Sequence, residues 1–233
     1  TGGKGPETKE NAREAALGKI QSMGRLVGVM DYESEALTIP GVIKAATEWI
    51  LINNTPKLAI TILMESGRSR EISQVEEILN HYNRCRGPRR FAIKVIQGIN
   101  LYTFIDIQLS INPNYQKELI INQIYTELGA SGLEKTHKES ELGVFGWRAR
   151  RFGQPEFSNR IMAAVQNVPG VIWNKITGFG PLAESGSPGD LELPDWPRPL
   201  QEKITCDKNQ ILALYKDHLQ INFTSSQNTQ LCD

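Results

Sequence analysis

Three histidines, His81, His137 and His218, and three cysteines, Cys85, Cys206 and Cys232, are the residues of this 233-residue chain best suited to metal or nucleophilic chemistry. His81 and Cys85 stand four residues apart and share a helix face, as two metal ligands would. A stable zinc site takes three or four ligands, and no third is local, so a structural cysteine beside a surface histidine is the simpler reading. A nucleophilic hydrolase needs a base beside its serine or cysteine. None of the histidines has a nucleophile motif around it, and no Gly-x-Ser-x-Gly is present. Gly2-Gly3-Lys4-Gly5 lacks the four-residue gap and the preceding strand of a phosphate loop, and reads as linker. The chain therefore signals no catalysis, and no metal or cofactor is expected.

Charge and aromatic residues offer a different chemistry, that of recognition. Arg84, Arg86, Arg89 and Arg90 surround a Gly-Pro turn, and Arg148, Arg150 and Arg151 follow Trp147. Such clusters hold phosphates, and a ferredoxin-like sheet can bind RNA. Against nucleic acid stand the equal counts of 26 Lys plus Arg and 26 Asp plus Glu, and the lack of an RNP-like stretch with several stacking aromatics. A solvated turn or a protein contact fits better, since arginine is favoured at interfaces. Trp147, Phe152 and Phe157 flank a helix start and read as core, as do Trp49 and Trp173 in strands that follow Pro-Gly-Val turns. Trp196 lies in a segment too rich in proline to have its own core, so it requires a partner surface, within the chain or outside it.

The elements that must position these residues follow from composition and periodicity. At 39% hydrophobic and 22% charged, with no apolar run of about eighteen residues, the chain has the composition of a globular protein rather than a membrane span. Three scattered cysteines argue against a disulfide framework and for assembly in a reducing compartment. The opening stretch lacks the charged and apolar regions of a signal peptide, and the chain reads as a fragment whose N-terminal part is absent. Thr8 caps a helix to about Met23. Leu26 to Val29 is a short apolar piece read as a strand, and Asp31 is the expected cap of a short helix ended by Ile39-Pro40-Gly41-Val42.

Val42 to Ile52 and Lys57 to Met64 read as antiparallel strands joined at Asn53-Asn54-Thr55-Pro56. Ser69 caps a helix with Ile72, Val75, Ile78, Leu79 and Tyr82 at helical spacing, ended by Gly87-Pro88. Phe91 to Val95 alternates as a strand. Strand, helix, strand, strand, helix, strand is the order of a ferredoxin-like split βαβ unit. A second unit opens with a strand placing Leu101, Ile105, Ile107, Leu109 and Ile111 on one face. Asn112-Pro113 starts a helix with Leu119, Ile121, Ile124, Tyr125 and Leu128. Pro155-Glu156 opens another, with Phe157, Ile161, Met162, Ala164 and Val165 inward, and Val168-Pro169-Gly170-Val171 releases a strand to about Thr177. This passage echoes the helix, Pro-Gly-Val, strand order of the first unit. Five prolines between Pro181 and Pro199 imply an extended path, and Ile204 to Phe223 holds two short apolar runs.

Several stretches together resemble one family. Gly24-Arg25-Leu26-Val27, Asp31-Tyr32-Glu33-Ser34-Glu35-Ala36-Leu37 and Ile39-Pro40-Gly41-Val42 are similar to a passage of J-like baseplate wedge proteins from contractile phage tails and phage-tail-like injection systems. Arg151-Phe152-Gly153-Gln154-Pro155, Ala164-Val165-Gln166-Asn167-Val168-Pro169-Gly170-Val171 and the Ile204 to Phe223 ending are similar to that family's closing module. The resemblance spans about Glu7 to Phe223. It implies a structural wedge subunit that joins a second wedge protein, copies of itself, the hub and sheath-proximal baseplate proteins in a sixfold ring. It carries over no catalytic residues, and it implies assembly in the cytoplasm into a phage tail or phage-tail-like particle.

The expected fold class is thus α+β, with two small ferredoxin-like or split βαβ units in tandem and an extended C-terminal arm. The boundaries are a linker and helix over 1–25, a first unit over 26–98, a second over 99–180 and a Pro-rich arm over 181–233. Arg84, Arg86, Arg89, Arg90, Arg148, Arg150, Arg151 and Trp196 are the expected protein-interface residues. No nucleic-acid partner and no membrane span is expected. A small-ligand hydrolase on a ferredoxin-like scaffold and a nucleic-acid-binding α+β module are the alternatives, because fold alone does not determine function.

Overall fold

The computed structural model describes residues 24–65, 71–87, 92–132, 142–182 and 190–224, together with Ala16 and Ile20. The chain has the expected α+β architecture and divides into two compact units, Thr1–Gly98 and Ile99–Asp233. Of the helix expected from Thr8 to Met23, only Ala16 and Ile20 are described, and both are helical. The expected cap at Ser69 lies outside the described residues.

The first unit contains helix α1 (Val29–Leu37), strands β1 (Val42–Ile52) and β2 (Thr55–Met64), helix α2 (Ile72–Arg86) and strand β3 (Ala92–Gln97). The sheet order is β1-β2-β3, with β1 antiparallel and β3 parallel to the central β2. Asn53 and Asn54 both have positive φ, 51° and 58°. Two such residues form the type I′ loop that matches the twist of a tight hairpin, so Thr55 and Pro56 are free to join β2. Leu58, Ile60, Ile62 and Met64 of β2 pack with Tyr32 and Ala36 of α1, Val75 and Leu79 of α2, and Ile93 and Val95 of β3. Burying each of these large side chains contributes on the order of 2 kcal/mol.

Two local expectations fail in this unit. Leu26 to Val29 is not a strand: Leu26 donates its N–H to the Arg86 carbonyl at 3.1 Å, and the chain enters α1 directly. Over its described residues 24–98 the unit is therefore αββαβ, without the first strand of a complete ferredoxin-like order. Asp31 is not the helix cap either. Gly28 occupies that position, and the Asp31 carboxylate reaches back to accept the N–H groups of Val27 and Gly28 at 2.9 and 2.8 Å. A carboxylate in the first turn serves the unpaired N–H groups there from either position.

The second unit contains β4 (Ile99–Ile111), helix α3 (Lys117–Leu128), β5 (Glu156–Phe157), helix α4 (Ser158–Gln166), β6 (Val171–Pro181), β7 (Lys203–Ile204) and β8 (Gln210–Phe223). Its main sheet has the order β6-β4-β8, with β6 antiparallel and β8 parallel to β4, while β5 and β7 form a small antiparallel pair. Leu101, Ile105, Ile107 and Leu109 of β4 form the core with Ile120, Ile124 and Leu128 of α3 and Ile161 and Val165 of α4. In the α3 stripe Ile124, Tyr125 and Leu128 pack inward as expected, whereas in the first turn Ile120 takes the core position and Leu119 is exposed. Helix α3 also begins after Pro113, because Asn112 accepts the Asn114 N–H at 3.0 Å and holds the chain in a turn. Likewise Glu156–Phe157 is strand rather than helix.

The two apolar runs of the expected arm belong to one strand, β8, inside the sheet of the second unit. Its register with β4 slips between Leu214 and Leu219. At that bulge Ser131 donates its N–H to Leu214 at 2.9 Å and accepts that of Lys216 at 2.8 Å. β3 and β4 lie in different sheets, so the short Gln97–Asn100 stretch does not make a hairpin.

The helix-to-strand echo is a real geometric identity. Val42 donates to Ile39 and Val171 to Val168, each at 3.2 Å, and Gly41 and Gly170 have φ of 85° and 93°. Proline followed by a positive-φ glycine is the signature of a type II turn, which reverses the chain from each helix into an edge strand.

Candidate interaction surfaces

The expected interface arginines separate into three groups. Arg89 and Arg90 lie outside the described residues. Arg86, at the end of α2, is half-buried and donates to both oxygens of Glu35 on α1, at 2.8 and 3.4 Å, with its guanidinium 4.4 Å from the Tyr82 ring centre. Beside it, Tyr32 donates its hydroxyl to Asn83 at 2.8 Å. Gly87 is required here by close approach, since a Cβ would lie 2.3 Å from Asn83 Oδ1. This end of α2 is thus held to α1 by polar contacts, with Arg84 exposed alongside.

The second cluster behaves differently from its arginine-rich reading. Arg150 is 1% exposed and is an internal residue. It forms an ion pair with Glu156, which is also buried, and donates to the carbonyls of Val144 at 3.1 Å and Pro155 at 3.1 Å. Burial pulls the Arg150 guanidinium downward from its ordinary value, against the opposing charge of Glu156. The pair ties the irregular 144–155 stretch to the start of α4, and Arg160 adds a more exposed contact to Glu156 at 3.3 Å. Arg151 is exposed, and the Arg148 guanidinium lies 5.0 Å from the Trp147 ring centre. Phe157 is exposed, while Trp147 and Phe152 are half-buried.

Trp49 and Trp173, expected in the core, are instead 48% and 41% exposed. Both belong to edge strands, where one flank lacks a neighbour to cover a large ring. Trp49 shares the β1–β2 hairpin end with the exposed Leu51, and Trp173 adjoins the exposed Ile172.

The strongest feature missed by sequence reading joins β4 to the Pro-rich stretch. Asp106, in the middle of β4, is fully buried and accepts a hydrogen bond from Arg198 at 2.6 Å. Its other oxygen makes no hydrogen bond among the described residues and faces Gly178 of β6, where a Cβ would lie 2.3 Å away. Burial raises the Asp106 carboxyl from its ordinary value, with Arg198 acting in the opposite direction. Arg198 also donates to the Pro194 carbonyl at 2.9 Å. Backbone bonds from Phe179 to Pro199 and from Gln201 to Phe179 hold the following residues. Gly178 and Gly180 alternate along β6, and Gly180 lies close under Phe104. That Gly-x-Gly within a strand is the signal in the sequence for such a close approach.

His81 and Cys85 do share an exposed helix face, with 3.7 Å between Nε2 and Sγ. Among the described residues no group of three His, Cys, Asp or Glu side chains is placed to hold a metal. No helix among them is long and apolar enough to cross a membrane.

No protein-family model matches the chain, and no curated protein matches it in sequence. Its fold is nevertheless similar to a chain in the cryo-EM structure of the anti-feeding prophage baseplate, sixfold symmetrised. The TM-score is 0.50 at 13% identity, covering 92% of this chain and 43% of that one. The chain thus spans less than half the length of the baseplate chain whose fold it shares.

Proposed function

We propose that this chain is a non-enzymatic structural subunit of a contractile injection baseplate. The observation that carries this reading is a fold shared over nearly the whole chain with a baseplate protein. In the finer form of the reading it is a wedge subunit. It assembles in the cytoplasm with a second wedge protein, copies of itself, the hub and sheath-proximal proteins into a sixfold ring. Arg84, Arg86, Arg89, Arg90, Arg148, Arg151 and Trp196 are the proposed contact residues, while Arg150 has its role inside the unit.

The test is imaging of particles from the source that carry a tagged copy of the full protein. Label in a ring below the sheath, at a stoichiometry that is a multiple of six, is the expected result. A protein that is absent from purified particles would exclude the baseplate role.

A further inference from the structure

We infer that residues 190–202 form a prearranged docking strap that presents Trp196 to a neighbouring protein subunit, and that the receiving pocket is apolar and rimmed by lysine or arginine. This rests on the baseplate reading and specifies the chemistry of one of its contacts. Three observations carry it.

The first is the state of Trp196. It is 58% exposed, although Pro199 and Gln201 are held to β6 by backbone bonds and Pro194 is tied through Arg198 to Asp106. The chain thus holds the strap without taking up the indole. A large exposed aromatic on a fixed backbone loses little freedom on binding, which is the character of an interface hot spot.

The second is the fastening itself. Trp196 stacks 5.1 Å from the guanidinium of Arg198, and that guanidinium is bound to the buried Asp106. Prolines at 194, 197 and 199 limit the other conformations open to the strap. A buried ion pair is a weak source of stability but a strong selector of one geometry, here the geometry that aims the indole outward.

The third is charge. Asp190, Glu192, Asp195 and Glu202 are exposed, whereas the only cation among them, Arg198, is directed inward to Asp106. A strap with four exposed carboxylates and its one cation turned inward is repelled by anionic lipid and by nucleic acid, and is attracted to a basic protein surface.

The test uses the full protein expressed with the other components of its particle, with copies per particle measured by quantitative mass spectrometry and melting temperature measured on the free chain. Trp196→Ala should lower incorporation about tenfold with little change in melting temperature, and Trp196→Phe should restore part of it. Glu192→Lys with Asp195→Lys should lower incorporation several-fold and remove its sensitivity to salt. Wild-type incorporation of Trp196→Ala, or of the charge-reversed chain, overturns the strap inference while leaving the baseplate reading intact. Absence of the wild-type chain from particles overturns both.

Discussion

The two units solve the same packing problem with ion pairs placed at different depths. In the first, two helices cover a three-stranded sheet, and the Glu35–Arg86 pair sits at the rim with Arg86 half-buried. In the second, Arg150–Glu156 and Asp106–Arg198 lie inside. The reason is the kind of chain each pair must hold. Regular helices bring apolar stripes to the first sheet and need only edge reinforcement. Residues 144–155 and 194–201 have no period with which to bury an apolar face, so their position depends on directional bonds. Irregular segments are located by a few strong polar contacts, and loss of one contact should matter more there.

The largest effect should come from Glu156→Ala, which leaves the Arg150 charge buried without its partner and should cost about 3–5 kcal/mol. Urea denaturation measures it, and a loss below about 1 kcal/mol would break the contrast between the units. Arg198→Ala should cost about 3 kcal/mol at neutral pH, at the lower end of that range, because Asp106 can take up a proton in response. Its effect should therefore shrink as pH falls.

The wild-type chain offers a related pH test. A carboxyl raised on folding adds stability that is complete below its ordinary value, 3.8 for Asp106, and is lost as pH rises through the folded value. Asp106 should thus favour the fold more strongly as pH is lowered through the acid range, opposite to a paired surface carboxylate. Asp106→Asn should remove that component from the pH profile of the urea midpoint. An unchanged profile would mean that the carboxyl is not buried in solution.

In the first unit, Tyr32→Phe removes one buried hydrogen bond and should cost about 1 kcal/mol by thermal or chemical denaturation. Arg86→Met should cost no more than about 1 kcal/mol, because Arg86 lies a third exposed at the rim, where solvent screens the pair and reaches the Glu35 carboxylate once the guanidinium is gone. If Arg86→Met proved as damaging as Glu156→Ala, depth of burial would not be the governing difference.

Much of the element order was legible because it rests on local physics. Val42–Ile52 has the bounds expected from its flanking turns, and Gly129, with φ of 68°, ends α3 as a left-handed cap that glycine adopts readily. The paired Pro-Gly-Val turns followed from two residue types with narrow backbone preferences. The α3 stripe departed from expectation only in its first turn, because Leu119, Ile120 and Ile121 are consecutive apolar residues and periodicity alone does not choose among them. The tryptophans failed for another reason: hydrophobicity favours burial, but an edge strand does not supply a neighbour for every ring.

The arginines show the same division most sharply. Arg148, Arg150 and Arg151 are alike in type and nearly adjacent, yet Arg150 alone is enclosed with Glu156. Asp106 finds Arg198 from 92 residues away. By itself the sequence determined the turns, the helix and strand order and the α+β class, since these depend on backbone preference and side-chain period. Only the tertiary structure decided which strand is an edge, which arginine is internal and which tryptophan is left facing outward, because burial and charge pairing are set by neighbours that the folded chain brings from far away.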